Sequence, residues 1–316
     1  MKALVQHGYG APAEVLRVEE RAAPQPAAGE VRVRVRFAGI NPLDWKLVEG
    51  KYRLMSKARP PCGVGFDLAG EVVAAGPGAA RFARGTRVAG LIPAFERPPG
   101  AIAQFALVPE KMLVAVPERV PLEQAAALPV AGLSALQICR MANVQRGRRV
   151  LVHGAAGGVG HLAAQIARNI GALVTVTGGA DSQGLLRELR PERALDYRAG
   201  PPSAWGGPFD AVLDCVGMLG PVDLRSLLAD DGCYVSTTPH FPRVITDTVM
   251  NFVRRAKRRV LMLKLNPADL EWLMEQLAAG ALRVAIMRTY PLAQAAAALE
   301  QSRAGHVRGK LVVAVD

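Results

Sequence analysis

Val150-Leu151-Val152-His153-Gly154-Ala155-Ala156-Gly157-Gly158-Val159-Gly160 decides the fold of this chain. A short apolar run enters a glycine-rich turn, and a helix-like stretch from His161 to Ile170 follows, with Gly171 as its stop. Strand, glycine turn and helix in that order bring backbone close to an anion and aim helix N-terminal amides at it. The glycine string alone is weak, because Ala155 stands at its first glycine position; its strand–turn–helix setting carries the reading. Leu173–Thr177, Ala211–Asp214 and Cys233–Ser236 continue the alternation of strands and helices. This pattern predicts a parallel sheet with right-handed crossovers.

Toward the N-terminus the character changes. Val31-Arg32-Val33-Arg34-Val35-Arg36 has the period-2 alternation of a strand with one wet face. Short apolar segments separated by Gly and Pro make residues 1–120 read as a small irregular barrel. From Leu122 to Ala142 the Ala/Leu content predicts helix with a break near Pro129. After Leu265 come a helix near 269–279, a strand near 284–288, a helix near 292–303 and the strand Leu311–Val315.

With 316 residues and half of them hydrophobic, the chain has material for two packed domains. No apolar run is long enough to span a bilayer, and the opening residues predict no signal peptide. Cysteines at 62, 139, 215 and 233 form no Cys-x-x-Cys pair, which suits the reducing cytoplasm and disfavours a zinc ribbon. The formal net charge of +12 raises polyanion binding, but only 5% of residues are aromatic and the Arg residues are mostly dispersed. No nucleic-acid partner is expected. A dinucleotide site specific for NAD usually carries Asp or Glu about 20 residues past the glycines. Here Gly178-Gly179 ends the second strand, so NADP(H) is preferred, with Asp181 nearby as the competing ribose ligand.

At this point the chain resembles the zinc-independent quinone oxidoreductase branch of the medium-chain dehydrogenase/reductase superfamily. The marks are Asn41-Pro42-Leu43-Asp44, Gly63-Val64-Gly65-Phe66-Asp67-Leu68-Ala69-Gly70-Glu71-Val72, Ala131-Gly132-Leu133-Ser134-Ala135, the glycine turn, Phe209–Gly217 and Gly309-Lys310-Leu311-Val312. The resemblance implies an α/β fold: a GroES-like β-rich catalytic domain (1–120 and 266–316) and a Rossmann doubly wound parallel-sheet domain (121–265). Zinc-dependent relatives hold their metal with a Cys and a Gly-His-Glu segment; the matching positions look like Asp44 and Gly65-Phe66-Asp67, which cannot complete an N/S site. His7, His153, His161, His240 and His306 are scattered, so no metal is expected.

Without a Lewis acid, a quinone or α,β-unsaturated carbonyl is the easier hydride acceptor, since its negative charge moves onto an oxygen that hydrogen bonds can stabilise. Simple aldehydes or ketones, and a non-catalytic NADPH-binding or redox-sensing protein, are the alternatives. The resemblance places Asn41, Asp44, Lys46 and Tyr52 at the active-site edge, with solvent a candidate proton donor. It places the amides of Gly157, Gly158 and Val159 on the pyrophosphate, and Gly178, Ser182 and Tyr197 around the 2′-phosphate, with Arg198 a weaker candidate. Ser134, Gly217, Ser236, Arg308 and Lys310 are further implied cofactor contacts.

For assembly, Val260–Leu265 is a candidate edge strand. A homodimer is expected there, with the basic run Arg254–Arg259 at its rim.

Overall fold

The computed structural model describes every residue except 58, 94, 96–99, 239–246, 248, 249, 252–254 and 316. His240 and Arg254, named above, lie outside the described residues. The chain forms two compact units, Met1–Ala131 with Leu265–Asp316, and Gly132–Lys264.

The first unit opens with β1 (Lys2–Gln6), α1 (Pro12–Val15), β2 (Leu16–Glu20), β3 (Glu30–Ile40) and α2 (Pro42–Val48). It continues through β4 (Cys62–Gly63), β5 (Asp67–Ala75), β6 (Arg87–Leu91), β7 (Phe105–Pro109), β8 (Leu113–Ala115) and α3 (Leu122–Ala127). The alternation read at 31–36 is the inner length of β3: Val31, Val33 and Val35 are buried, while Arg32 and Arg34 place their guanidiniums over the Phe105 ring of β7.

Pro129 ends α3 and begins α4 (Pro129–Met141), the helix break expected there. α3 packs on β3 and β5, so the first unit runs past residue 120 to Ala131. Close packing explains this. A Cβ on Gly39 of β3 would stand 2.4 Å from the Ala126 carbonyl oxygen, and only glycine admits α3 so near.

The second unit contains β9 (Arg149–His153), α5 (Gly160–Ile170), β10 (Leu173–Gly178), α6 (Gln183–Glu188), β11 (Arg193–Asp196), β12 (Phe209–Asp214), α7 (Pro221–Leu227), β13 (Leu228–Ser236) and β14 (Lys257–Val260). All six strands are parallel, in the order β11-β10-β9-β12-β13-β14. This is the doubly wound arrangement, whose order reverses between β9 and β12; ligands bind beyond the strand ends at such a point. Gly171, at φ 93°, closes α5 as expected.

Val260–Leu265 is not a strand. β14 ends at Val260, and both main-chain groups of Lys264 are taken by the Gln137 side chain of α4, at 3.0 and 2.7 Å. The outer edge of β14 is also occupied: Asn251 accepts from the Arg258 amide at 2.8 Å and donates to its carbonyl at 2.6 Å. The described part of the basic run is tied down within the unit. Lys257 Nζ donates to the Asn251 carbonyl, and Arg259 donates to that of Met141.

The chain then returns to the first unit through helices Pro267–Ala278 and Ala295–Ala304, with β15 (Ile286–Pro291) between them and β16 (Lys310–Ala314) last. Its main sheet runs β15-β16-β3-β5-β6-β8, with β7 paired to β3; a smaller sheet runs β2-β1-β4.

Candidate functional site

In the second unit, β9 delivers His153 into the glycine turn at the point where strand order reverses. Gly154 has φ 76°, and a Cβ there would meet Val216 Cγ2 at 2.4 Å. A Cβ on Gly160 would stand 2.3 Å from the Gly154 carbonyl oxygen, so glycine is required where α5 begins. Ala155 fills the first glycine position with a buried methyl, while its amide donates to the Thr177 carbonyl at 2.9 Å.

One expectation changes. The Gly157 amide closes the turn by donating to the Gly154 carbonyl at 3.1 Å. No acceptor among the described residues takes the amides of Gly158 and Val159. Those two, at the positive end of α5, fit a pyrophosphate.

At the end of β10 the expected 2′-phosphate residues divide. Gly178 and Ser182 are buried, and the Ser182 hydroxyl donates to the Gly179 carbonyl at 2.7 Å; neither lines an open surface. A side chain at Gly179 instead would point at Tyr197 Cε1 (3.8 Å) and Arg198 Nη1 (3.9 Å), with Asp181 Oδ1 at 2.9 Å. The Arg198 guanidinium lies over the exposed Tyr197 ring, 5.2 Å from its centroid. A cation on an aromatic face beside a glycine suits a phosphate. His153 supports this corner from beneath: it is buried, stacks on Trp205 at 5.2 Å, meets Tyr197 edge-on at 6.2 Å and pairs with Thr177 Oγ1 at 2.8 Å. Burial pushes its pKa down, which keeps the ring neutral.

Beyond β12, buried Asp214 gathers the amides of Val216, Gly217 and Leu219 and the Tyr234 hydroxyl, all within 2.7–3.1 Å. This shapes the turn carrying Gly217, whose φ is 83°. A Cβ there would meet the Thr238 side chain at 2.5 Å. Ser236 is buried and accepts from the Thr238 amide at 3.1 Å; Ser134 is buried on α4. Both serines sit inside the unit.

In the first unit, the pairing of β16, β3 and β5 gathers a buried polar cluster. Leu311 lies opposite Ile40 and Gly39 opposite Asp67, so Lys310, Asn41 and Asp67 meet at one end of three neighbouring strands. Lys310 Nζ donates to the Ile40 carbonyl at 2.7 Å and to Asn41 Oδ1 at 2.5 Å. Asn41 Nδ2 donates to Asp67 Oδ2 at 2.9 Å. The Asp67 carboxylate also accepts from the Val130 amide, at 3.2 and 3.3 Å. At the start of α2, Asp44 Oδ2 accepts the Asn41 amide at 2.6 Å, whereas Asp44 Oδ1 is buried with no hydrogen-bond partner among the described residues.

Burial raises Asp44 to about 8, with Asp67 adding repulsion, and raises Asp67 to about 6 against the pull of Lys310. Burial also lowers the Lys310 pKa. Lys310, expected at the cofactor, spends two of its ammonium hydrogens on Asn41 and Ile40 within the first unit. Asp67, which the sequence marks only as a lost metal ligand, is the member of the cluster that its motif does not reveal. Its signal was a carboxylate set against the apolar run Leu68-Ala69.

Lys46 and Lys51 approach one Trp45 ring, with Nζ 5.5 and 4.6 Å from its centroid, and burial then Lys51 depress the Lys46 pKa. Tyr52 packs on the unit's core and meets Phe95 edge-on at 6.0 Å. Arg308 is exposed, and its amide donates to Met287 Sδ. Among the described residues no three His, Cys, Asp or Glu side chains converge as a metal site.

Two family models match. One, described as an alcohol dehydrogenase GroES-like domain, covers residues 27–118, and one, described as a zinc-binding dehydrogenase, covers 191–313. A chloroplast envelope quinone oxidoreductase homolog of Arabidopsis thaliana is 31% identical, over 99% of this chain and 98% of its own length. An NADPH-dependent alkenal/one oxidoreductase of the same plant is 28% identical, over 99% of this chain and 79% of its own. The solved quinone oxidoreductase of Coxiella burnetii superposes with a TM-score of 0.91 at 33% identity, covering 100% of this chain and 99% of its own.

Proposed function

Because the chain belongs to the quinone oxidoreductase-like branch of the medium-chain dehydrogenase/reductase superfamily, we propose that it is an NADPH-dependent reductase of quinones or α,β-unsaturated carbonyls, working without a metal. NADPH, when bound, supplies the hydride. The Gly158 and Val159 amides bind its pyrophosphate, and Tyr197 with Arg198 receives the 2′-phosphate beside Gly179. Asn41 carries the catalytic half of the reading. Lys310 and Asp67 hold its side chain from both sides, and its second amide hydrogen is used by no described residue. That hydrogen serves the acceptor oxygen that becomes negative as hydride arrives at carbon. Asp44 fixes the Asn41 backbone, and the proton comes from solvent.

The experiment is NADPH oxidation against a panel of quinones, enones and simple aldehydes. Turnover of the first two classes supports the reading. Tight NADPH binding with no turnover anywhere, or turnover of aldehydes alone, overturns it.

For assembly we infer a homodimer made through side chains beside β14, where Met262 is exposed. Main-chain pairing at Arg258 is already blocked by Asn251. Four free cysteines support a reducing compartment such as the cytoplasm, and no helix among the described residues is long and apolar enough to cross a membrane.

A further inference from the structure

Residues 50–57 form a succession of tight turns behind α2. The Arg53 amide donates to the Gly50 carbonyl at 3.1 Å, and the amides of Met55 and Ser56 both reach the Tyr52 carbonyl at 2.9 Å. Both ends of this tip face inward, since Tyr52 packs on the core and Ser56 is buried. Between them Leu54 is 92% exposed and Met55 53% exposed. The turn hydrogen bonds hold these two side chains outward, so their exposure is built into the backbone. Two exposed rings border the same tip. Tyr9 lies over Gly50, and Phe95 stands against Tyr52. An apolar patch of this kind on a folded surface marks a contact site.

Charge identifies the partner. Arg53 and Lys57 are exposed around the apolar pair, with exposed Arg59 donating to the Ser56 carbonyl and Lys51 paired with Glu49 at 2.8 Å, and no acid occurs between Glu49 and Asp67. Two copies meeting through this tip would bring like charges together. A nucleic acid would match the cations but leave Leu54 and Met55 in water. An anionic lipid surface satisfies both, with headgroups against the cations and the acyl boundary around the apolar side chains. The geometry points to a peripheral membrane contact in which the 51–57 tip docks on anionic lipid. This interaction goes beyond hydride transfer, and it brings the protein to a phase in which apolar acceptors dissolve.

The test is flotation of the full chain with equimolar phosphatidylcholine–phosphatidylglycerol vesicles and with phosphatidylcholine vesicles, without nucleotide or quinone. Binding is expected to the anionic vesicles only. The double variant L54S/M55S should weaken it about tenfold, the equivalent of half-burying one such side chain. That variant should keep wild-type turnover of a water-soluble quinone, which also verifies its folding. R53E/K57E should abolish binding. The proposal is overturned by no flotation with anionic vesicles, or by wild-type binding of L54S/M55S, which would leave charge alone as the cause. Loss of soluble-quinone turnover with vesicle binding intact also overturns it, since the tip would then act as a lid over substrate. Because flotation needs no catalysis, its failure is distinct from failure of the reductase reading.

Discussion

Replacing Lys310 with Met removes the one cation from a cluster that holds two carboxyl groups. Asn41 Oδ1 and the Ile40 carbonyl lose their donor, and Asp67 loses its counter-charge. Breaking a buried pair on one side costs about 3–5 kcal/mol. The lower end, about 3 kcal/mol, applies here because Asp67 keeps donors from Asn41 and Val130 and can take up a proton. Its carboxyl stands at about 6 even beside the ammonium, and rises further without it. A carboxyl whose folded pKa is raised stabilises fully below its unfolded pKa and loses that contribution as pH rises through the folded one. The Asp67 part of this loss is complete near pH 6 in the wild type and continues above it in the variant, while Asp44, raised to about 8, titrates in both proteins. The gap should therefore widen as pH rises above about 6, by at most about 1.4 kcal/mol per pH unit. Urea unfolding at three pH values in this window measures it. A K310M protein as stable as wild type at the alkaline end, or a gap that narrows with pH, refutes the account of the cluster. Kinetics separate positioning from cofactor contact: kcat should fall while KM for NADPH stays put, because Lys310 acts through Asn41.

Gly179→Asp should reduce NADPH affinity at least tenfold relative to NADH, since its carboxylate would face the phosphate side of Arg198; unchanged preference removes that assignment. Gly178→Asp is a poorer probe, because its Cβ would stand 2.6 Å from Ser182 Oγ and 2.9 Å from Leu186 Cδ1, so a lowered melting temperature is expected instead. Elemental analysis should find no stoichiometric zinc, with activity kept in chelator; about one zinc per chain and activity lost on its removal sinks the metal-free reading. Light scattering should give a two-chain mass that Met262→Asp halves and Asn251→Ala does not, whereas a monomeric wild type refutes the dimer.

The glycine turn was legible because its constraint is local. A strand, a tight backbone and a helix start leave their residues in one continuous stretch, and Gly154 and Gly160 are required by contacts within that stretch and with Val216. The period of β3 was legible for the same reason, since alternate side chains face alternate sides. Val260–Leu265 looks like a strand by composition, yet its main chain takes partners from Gln137, far away in sequence. Apolar content cannot report who supplies the hydrogen bonds. The end of the first unit was hidden similarly, because it depends on Ala126 passing over the bare backbone of Gly39.

Asn41 shows how far such hidden register reaches into chemistry. Its side chain offers an acceptor at one end and two donors at the other. Lys310 can only donate, so it must face Oδ1; the Asp67 carboxylate, when ionised, can only accept, so it must face Nδ2. With both neighbours in place the amide cannot exchange its ends. Sequence places these residues at 41, 67 and 310, in three motifs that suggest three separate roles. Only the pairing of β16 with β3 and of β3 with β5 makes them one device. An unclamped amide could turn its oxygen toward a developing oxyanion and repel it. On the proposed reading the clamp removes that orientation, and Lys310 acts on hydride transfer through Asn41.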